Sequence, residues 1–152
     1  MKAELELARE GGAPLPAGVL LGDVQEALEM LAAVEAVALG TARVLVCDDD
    51  ERLAELTARS LRRLGFDAES SSSFRAPRPG EIVVFDLGLA ARLSGPERAA
   101  LKAARPIVVT GATDGASRAV AAALAAADYL VKPVELELLV AAIASRVAED
   151  GA

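Results

Sequence analysis

From Arg43 onward the chain alternates short unbroken apolar runs with longer segments in which apolar residues recur at helical spacing. The runs Val44–Cys47, Glu81–Phe85, Ile107–Val109 and Tyr129–Val131 predict buried strands, with a weaker strand over Phe66–Glu69. Between them the pattern predicts helices. Glu51–Leu64 sets Leu53, Leu56, Leu61 and Leu64 on one face and stops at Gly65. Pro96–Ala104 starts with proline in its first turn. Ala116–Ala126 is alanine-rich and capped by Thr113 or Asp114. Glu135–Val147 turns Leu136, Leu139, Val140, Ile143 and Val147 inward.

Strands alternating with helices predict an α/β fold, with a parallel sheet covered on both faces. The polar residues then fall in one place. Asp48 and Asp49, Asp86, Thr110 and Lys132 each follow the last apolar residue of a strand. The carboxyl ends of the strands form the ligand crevice of an open parallel sheet. Three carboxylates, a hydroxyl and an ammonium therefore converge there.

Residues 1–41 read differently. Gly11-Gly12, Pro14 and Pro16 break the first twenty-odd positions, and a helix is expected over about 23–39, stopped by Gly40. Its apolar residues, Val24 to Leu39, cover well over half the circumference and need burial on a wide face. The expected organisation is an N-terminal extension over 1–41 and one domain over 42–149. The apolar arc predicts packing against the body or a homodimer through this helix.

Composition narrows the chemistry. A net charge of -7 argues against direct nucleic-acid binding through phosphates. No signal peptide and no uncharged apolar run of membrane-spanning length is evident, and Cys47 is the single cysteine, so a cytoplasmic location is expected. The chain has no histidine, which removes imidazole bases and His-ligated zinc. A metal here must be held by oxygen, which points to magnesium or calcium. Converging carboxylates call for such a cation, with Asp49 and Asp86 as direct ligands and Asp48 direct or through water. A carboxylate can also be the nucleophile of phosphoryl transfer, forming an aspartyl phosphate. Lys132 and Thr110 would then stabilise phosphoryl oxygens by charge and by hydrogen bond.

The segments Val44–Asp50, Val83–Asp86, Val108–Gly111 and Asp128–Pro133 together resemble the strand ends of response-regulator receiver domains of two-component signalling, over roughly Ala42 to Glu149. The resemblance implies a doubly wound, flavodoxin-like sheet of five parallel strands in the order 2-1-3-4-5. It implies Asp86 as phosphoacceptor, an Mg²⁺ site from Asp48, Asp49, Asp86 and the backbone carbonyl of Gly88, Thr110 as switch hydroxyl and Lys132 as phosphate partner. Tyr129 would be the switch aromatic, and the Lys132-Pro133 bond would be cis. The implied protein is a signalling switch and not a metabolic enzyme. It would be phosphorylated by a sensor histidine kinase or a phosphotransfer protein and read by a downstream protein.

The pattern departs from the family between the second and third strands. Ser70–Gly80 holds four serines, two prolines and a glycine, too poor a sequence for the helix expected there, and part of one sheet face should be left uncovered. Two other readings compete. One is a phosphorylation-independent pseudo-receiver acting as an interaction or dimerisation module. The other is a haloacid-dehalogenase-type phosphohydrolase, disfavoured because the position two after Asp86 is Gly88 and not aspartate. Individually the pieces are ordinary: an acidic helix start is usually an N-cap, and Lys-Pro after a strand is usually a turn. Their order and strand-end placement carry the reading.

Overall fold

The computed structural model describes residues 42–150; the expected helix over 23–39 lies outside them. The order is β1 (Arg43–Cys47), α1 (Glu51–Arg63), β2 (Asp67–Ser71), β3 (Glu81–Asp86), a 3-10 turn (Leu87–Arg92), α2 (Gly95–Ala104), β4 (Ile107–Thr110), α3 (Gly115–Ala123), β5 (Asp128–Val131) and α4 (Leu136–Asp150). The sheet has five strands in the order β2-β1-β3-β4-β5, and every pairing is parallel. Burial follows that order. All of β3 is buried, whereas the edge strand β5 is half-buried to exposed. No helix among the described residues is long and apolar enough to cross a membrane.

Local chemistry explains the helix boundaries. The Asp50 carboxylate accepts from Leu53 N at 3.1 Å to start α1, and Gly65 follows its end at φ 101°, a conformation that favours glycine. Ser94 and Glu97 form a reciprocal capping box at α2. Of the two candidate caps of α3, Asp114 is the one used, accepting from Ser117 N at 2.8 Å.

The buried stripe of α1 differs from the leucine face expected. Ala54, Ala58 and Leu61 face the core, while Leu53 and Leu56 are exposed. The small Ala54 and Ala58, at i and i+4, let the helix lie close to the sheet, with Leu61 buried as expected, and Leu53 and Leu56 are displaced to its flank. In α4, Leu139, Val140 and Ile143 are buried as expected, and Arg146 joins them. Its guanidinium donates to the carbonyls of Ala104 (2.8 Å) and Arg105 (3.2 Å), satisfying the C-terminal end of α2.

No helix forms between β2 and β3, as the prolines require. The sheet face expected to be partly uncovered is covered over β1 and β3, while Glu69 of β2, in register with Leu45 on the same face, stays exposed. Leu45, Cys47, Val83 and Phe85 are buried on that side. Phe74 packs edge-on against Phe85 with ring centroids 6.3 Å apart. Arg75 anchors the same loop by donating to both carboxylate oxygens of Glu81, each at 2.8 Å. One aromatic and one ion pair thus do the covering that a helix would otherwise do.

Candidate functional site

Four strands, β1, β3, β4 and β5, run parallel, and their carboxyl ends bring the predicted residues together. Asp48 follows β1, and its N–H donates to Ser71 O of β2 at 3.1 Å. Asp86 closes β3 opposite Val109. Thr110 closes β4, and its carbonyl accepts the Lys132 N–H at 2.8 Å, which sets Lys132 beside it. The Lys132-Pro133 bond is cis. Asp48, Asp86 and Thr110 are buried, and Asp49 faces solvent.

Lys132 is the hub of the charge network. Its amino group donates to Asp48 Oδ2 at 2.9 Å and lies 3.2 Å from Asp86 Oδ1. The other Asp48 oxygen accepts from Asp50 N at 2.9 Å. Both Asp48 oxygens are therefore engaged. Carboxylate oxygens of Asp48, Asp49 and Asp86 lie within 4.8 Å of one another, close enough to share one cation. Gly88 stands against the Asp86 carboxylate: a Cβ there would meet Asp86 Oδ2 at 3.1 Å. Only a glycine leaves this approach unobstructed.

Electrostatics separates the acids. Burial, then the charge of Asp48, raises the Asp86 pKa above the usual aspartate value, against the opposing pull of Lys132. Asp49 moves the other way, held low first by hydrogen bonding with Asp86 and then by Asp48, Arg92 and Lys132. Burial works to lower the Lys132 pKa, but its bonds to Asp48 and Asp86 outweigh this and raise it.

Three neighbours gave no signal in the sequence. Arg92, at the end of the 3-10 turn, lies 3.7 Å from Asp49; the stretch after Asp86 has no periodicity that would have placed it. Ala112 bonds to both switch candidates: its N–H donates to Thr110 Oγ1 at 3.0 Å, and its carbonyl accepts from the Tyr129 hydroxyl at 2.7 Å. Arg118 stacks its guanidinium over the Tyr129 ring, 4.9 Å from the centroid. A cavity of about 500 Å³ is lined by Asp48, Asp86 and Lys132 together with Leu53 and Leu56.

Among solved structures the chain is similar to a response regulator protein from Burkholderia pseudomallei with a phosphorylated aspartic acid, calcium ion and citrate. Identity is 30%, coverage is 73% of each chain, and the TM-score is 0.56. The chain belongs to the response regulator receiver family. It is also similar to a response regulator receiver domain protein from Clostridium thermocellum (24% identity, 72% of this chain and 97% of that one, TM-score 0.60). A CheY-like receiver domain protein from Methanospirillum hungatei shares the fold at 21% identity, over 72% of this chain and 96% of that one, with TM-score 0.57. No family model matches the sequence, and no curated protein matches it closely. The receiver fold and its strand order are those expected from the sequence. Receiver domains are signalling switches rather than metabolic enzymes.

Proposed function

We propose that this receiver, over residues 42–149, is a phosphorylation-dependent switch in which Asp86 accepts the phosphoryl group. The observation that carries this is Lys132, whose amino group bridges Asp48 and Asp86 at the ends of parallel strands. An oxygen of the ionised Asp86 carboxylate attacks phosphorus, and the bond to the donor's leaving group breaks as the acyl-phosphate bond forms. Lys132 exchanges part of its contact with Asp86 for a phosphoryl oxygen. Thr110 turns its hydroxyl to donate to another.

The donor set fits a hard divalent cation. It is all oxygen, it lies close together, and Gly88 lacks the side chain that would crowd Asp86. Asp49 and Asp86, the carbonyl of Gly88, and Asp48 directly or through water would hold Mg²⁺. Bound there, Mg²⁺ supplies charge neutralisation for the acids and the phosphoryl oxygens.

The proposed donors are a sensor histidine kinase or a phosphotransfer protein, for which the exposed Leu53 and Leu56 beside the pocket offer an apolar landing surface. A downstream protein would read the switch. The wide apolar arc expected over 23–39 supports a homodimer through that segment. If it forms, removing residues 1–40 lowers the mass seen by light scattering from dimer to monomer; an unchanged mass rejects it.

The test of the main reading is intact-mass measurement after acetyl phosphate treatment with Mg²⁺. One added phosphoryl group is expected, abolished by Asp86→Asn. A wild type that neither labels nor binds beryllofluoride supports instead the pseudo-receiver, an interaction module whose helix-free β2–β3 loop would be the binding face.

A further inference from the structure

Two cations stand against the three acids at the strand ends. Lys132 meets the buried pair, 2.9 Å from Asp48 Oδ2 and 3.2 Å from Asp86 Oδ1. Arg92 meets the outer acid: its Nη2 lies 3.7 Å from Asp49 Oδ2, and the two side chains are 67% and 43% exposed. The inner contacts are short, and the outer one is long and wet. The backbone of Arg92 is nonetheless fixed. Leu89 and Ala90 of its 3-10 turn are buried. The Ala90 carbonyl accepts from the Arg98 guanidinium at 2.8 Å and from the Leu93 N–H at 3.3 Å. Arg92 is thus rooted beside the acids, while its guanidinium keeps the freedom of a long exposed side chain.

We propose that Arg92 is an exchangeable counter-ion: it competes with a divalent cation for Asp49, and once displaced it pairs with the anionic group carried on Asp86. The proposal rests on the phosphoacceptor and Mg²⁺ readings above. Asp48, Asp49 and Asp86 lie close enough to share one cation. With Lys132 offsetting one of their charges, a single divalent cation balances the rest. Arg92 is then surplus positive charge beside a like charge, and this repulsion weakens binding of the ion. The same surplus charge attracts any group that brings negative charge to Asp86. A planar guanidinium fork also suits the several oxygens of a phosphoryl group better than one carboxylate oxygen at 3.7 Å. Removing the cation should therefore move the two affinities in opposite directions. An exposed ion pair has the strength to change each by about two- to fivefold.

The test uses the full chain and two probes. Calorimetric titration with Mg²⁺ alone gives the first affinity, and fluorine NMR titration with beryllofluoride at saturating Mg²⁺ gives the second. Arg92→Met keeps the apolar stem of the side chain and removes the cation. It should bind Mg²⁺ about two- to fivefold more tightly than wild type, and beryllofluoride about two- to fivefold less tightly. A residue that merely supported the turn would weaken both together. Arg92→Lys, which keeps a cation, should lie close to wild type in both titrations. Mg²⁺ affinity that is unchanged or lower in Arg92→Met overturns the exchange and leaves the phosphoacceptor reading intact. Beryllofluoride affinity that is unchanged or higher does the same. Failure of the wild type to bind Mg²⁺ or beryllofluoride overturns that reading itself, and the exchange with it.

Discussion

Lys132 holds its amino group 3.2 Å from Asp86 Oδ1 although the two residues come from different strand ends. The ammonium is the counter-charge that lets a buried aspartate exist beside Asp48. Lys132→Ala should therefore leave the fold intact by circular dichroism and slow labelling by acetyl phosphate at least tenfold, the order expected for losing one charge contact to the transferring group. The raised pKa of Lys132 means that its stabilising pairing is complete below the ordinary lysine value of 10.5 and is lost only as pH rises through the folded value. Urea midpoints of the wild type should owe no change to this group between about pH 6 and 9. A grossly unfolded Lys132→Ala would make the residue structural.

Asp86 stands in the opposite balance. Its pKa is raised by burial and by Asp48, so the ionised form is disfavoured in the fold. Any benefit of the neutral form is complete below the ordinary value of 3.8 and is lost as pH rises through the folded value, leaving a penalty at neutral pH. Asp86→Asn should remove the penalty and raise the metal-free stability at pH 7 by roughly 1 kcal/mol. Urea unfolding measures it. A less stable variant would show that the carboxylate is held by favourable contacts that outweigh its repulsion.

The metal site has its own signature. Asp49→Ala should weaken Mg²⁺ binding at least tenfold, and Gly88→Ala should weaken it too, because the new Cβ would press on Asp86 Oδ2 at 3.1 Å. Calorimetric titration with Mg²⁺ checks both. Unchanged affinity in Asp49→Ala would place the ion elsewhere.

Much of this was legible in the sequence because buried parallel strands read as unbroken apolar runs, so the residue after each run marks a strand end. That logic places Asp48, Asp86, Thr110 and Lys132 at one end of the sheet. It failed where contacts are made by residues without periodicity. Arg92 and Arg118 are exposed cations whose spacing says nothing about what they touch. It failed in part on α1, where Leu61 is core as expected but Ala54 and Ala58 fill the places that Leu53 and Leu56 looked set to take. Composition cannot say how near a helix lies to a sheet, and nearness favours the small residue.

The β2–β3 loop is helix-free, as its prolines dictate, yet it covers β1 and β3 on the face expected to be open, and it is anchored by the Arg75–Glu81 pair. The Glu81 side chain is only 2% exposed and Arg75 is 32% exposed. Burial alone would raise the Glu81 pKa, yet the bonds from Arg75 and from the Arg78 N–H outweigh it and hold the carboxylate low. Breaking a buried pair by removing one partner leaves an uncompensated charge, which costs about 3–5 kcal/mol when both partners are fully buried. With Arg75 partly in water, Arg75→Met should cost about 2–4 kcal/mol and should free Phe74 from Phe85. The sign for pH follows from the lowered pKa: the contribution of Glu81 is complete above 4.5 and is lost as pH falls through the folded value. Wild type should therefore lose stability in acid through this pair, and Arg75→Met should lose less over the same range. Urea unfolding at pH 7 and in acid measures both differences. Equal stabilities of the two proteins at pH 7 would mean that Phe74 alone covers the sheet and that the ion pair merely decorates the loop.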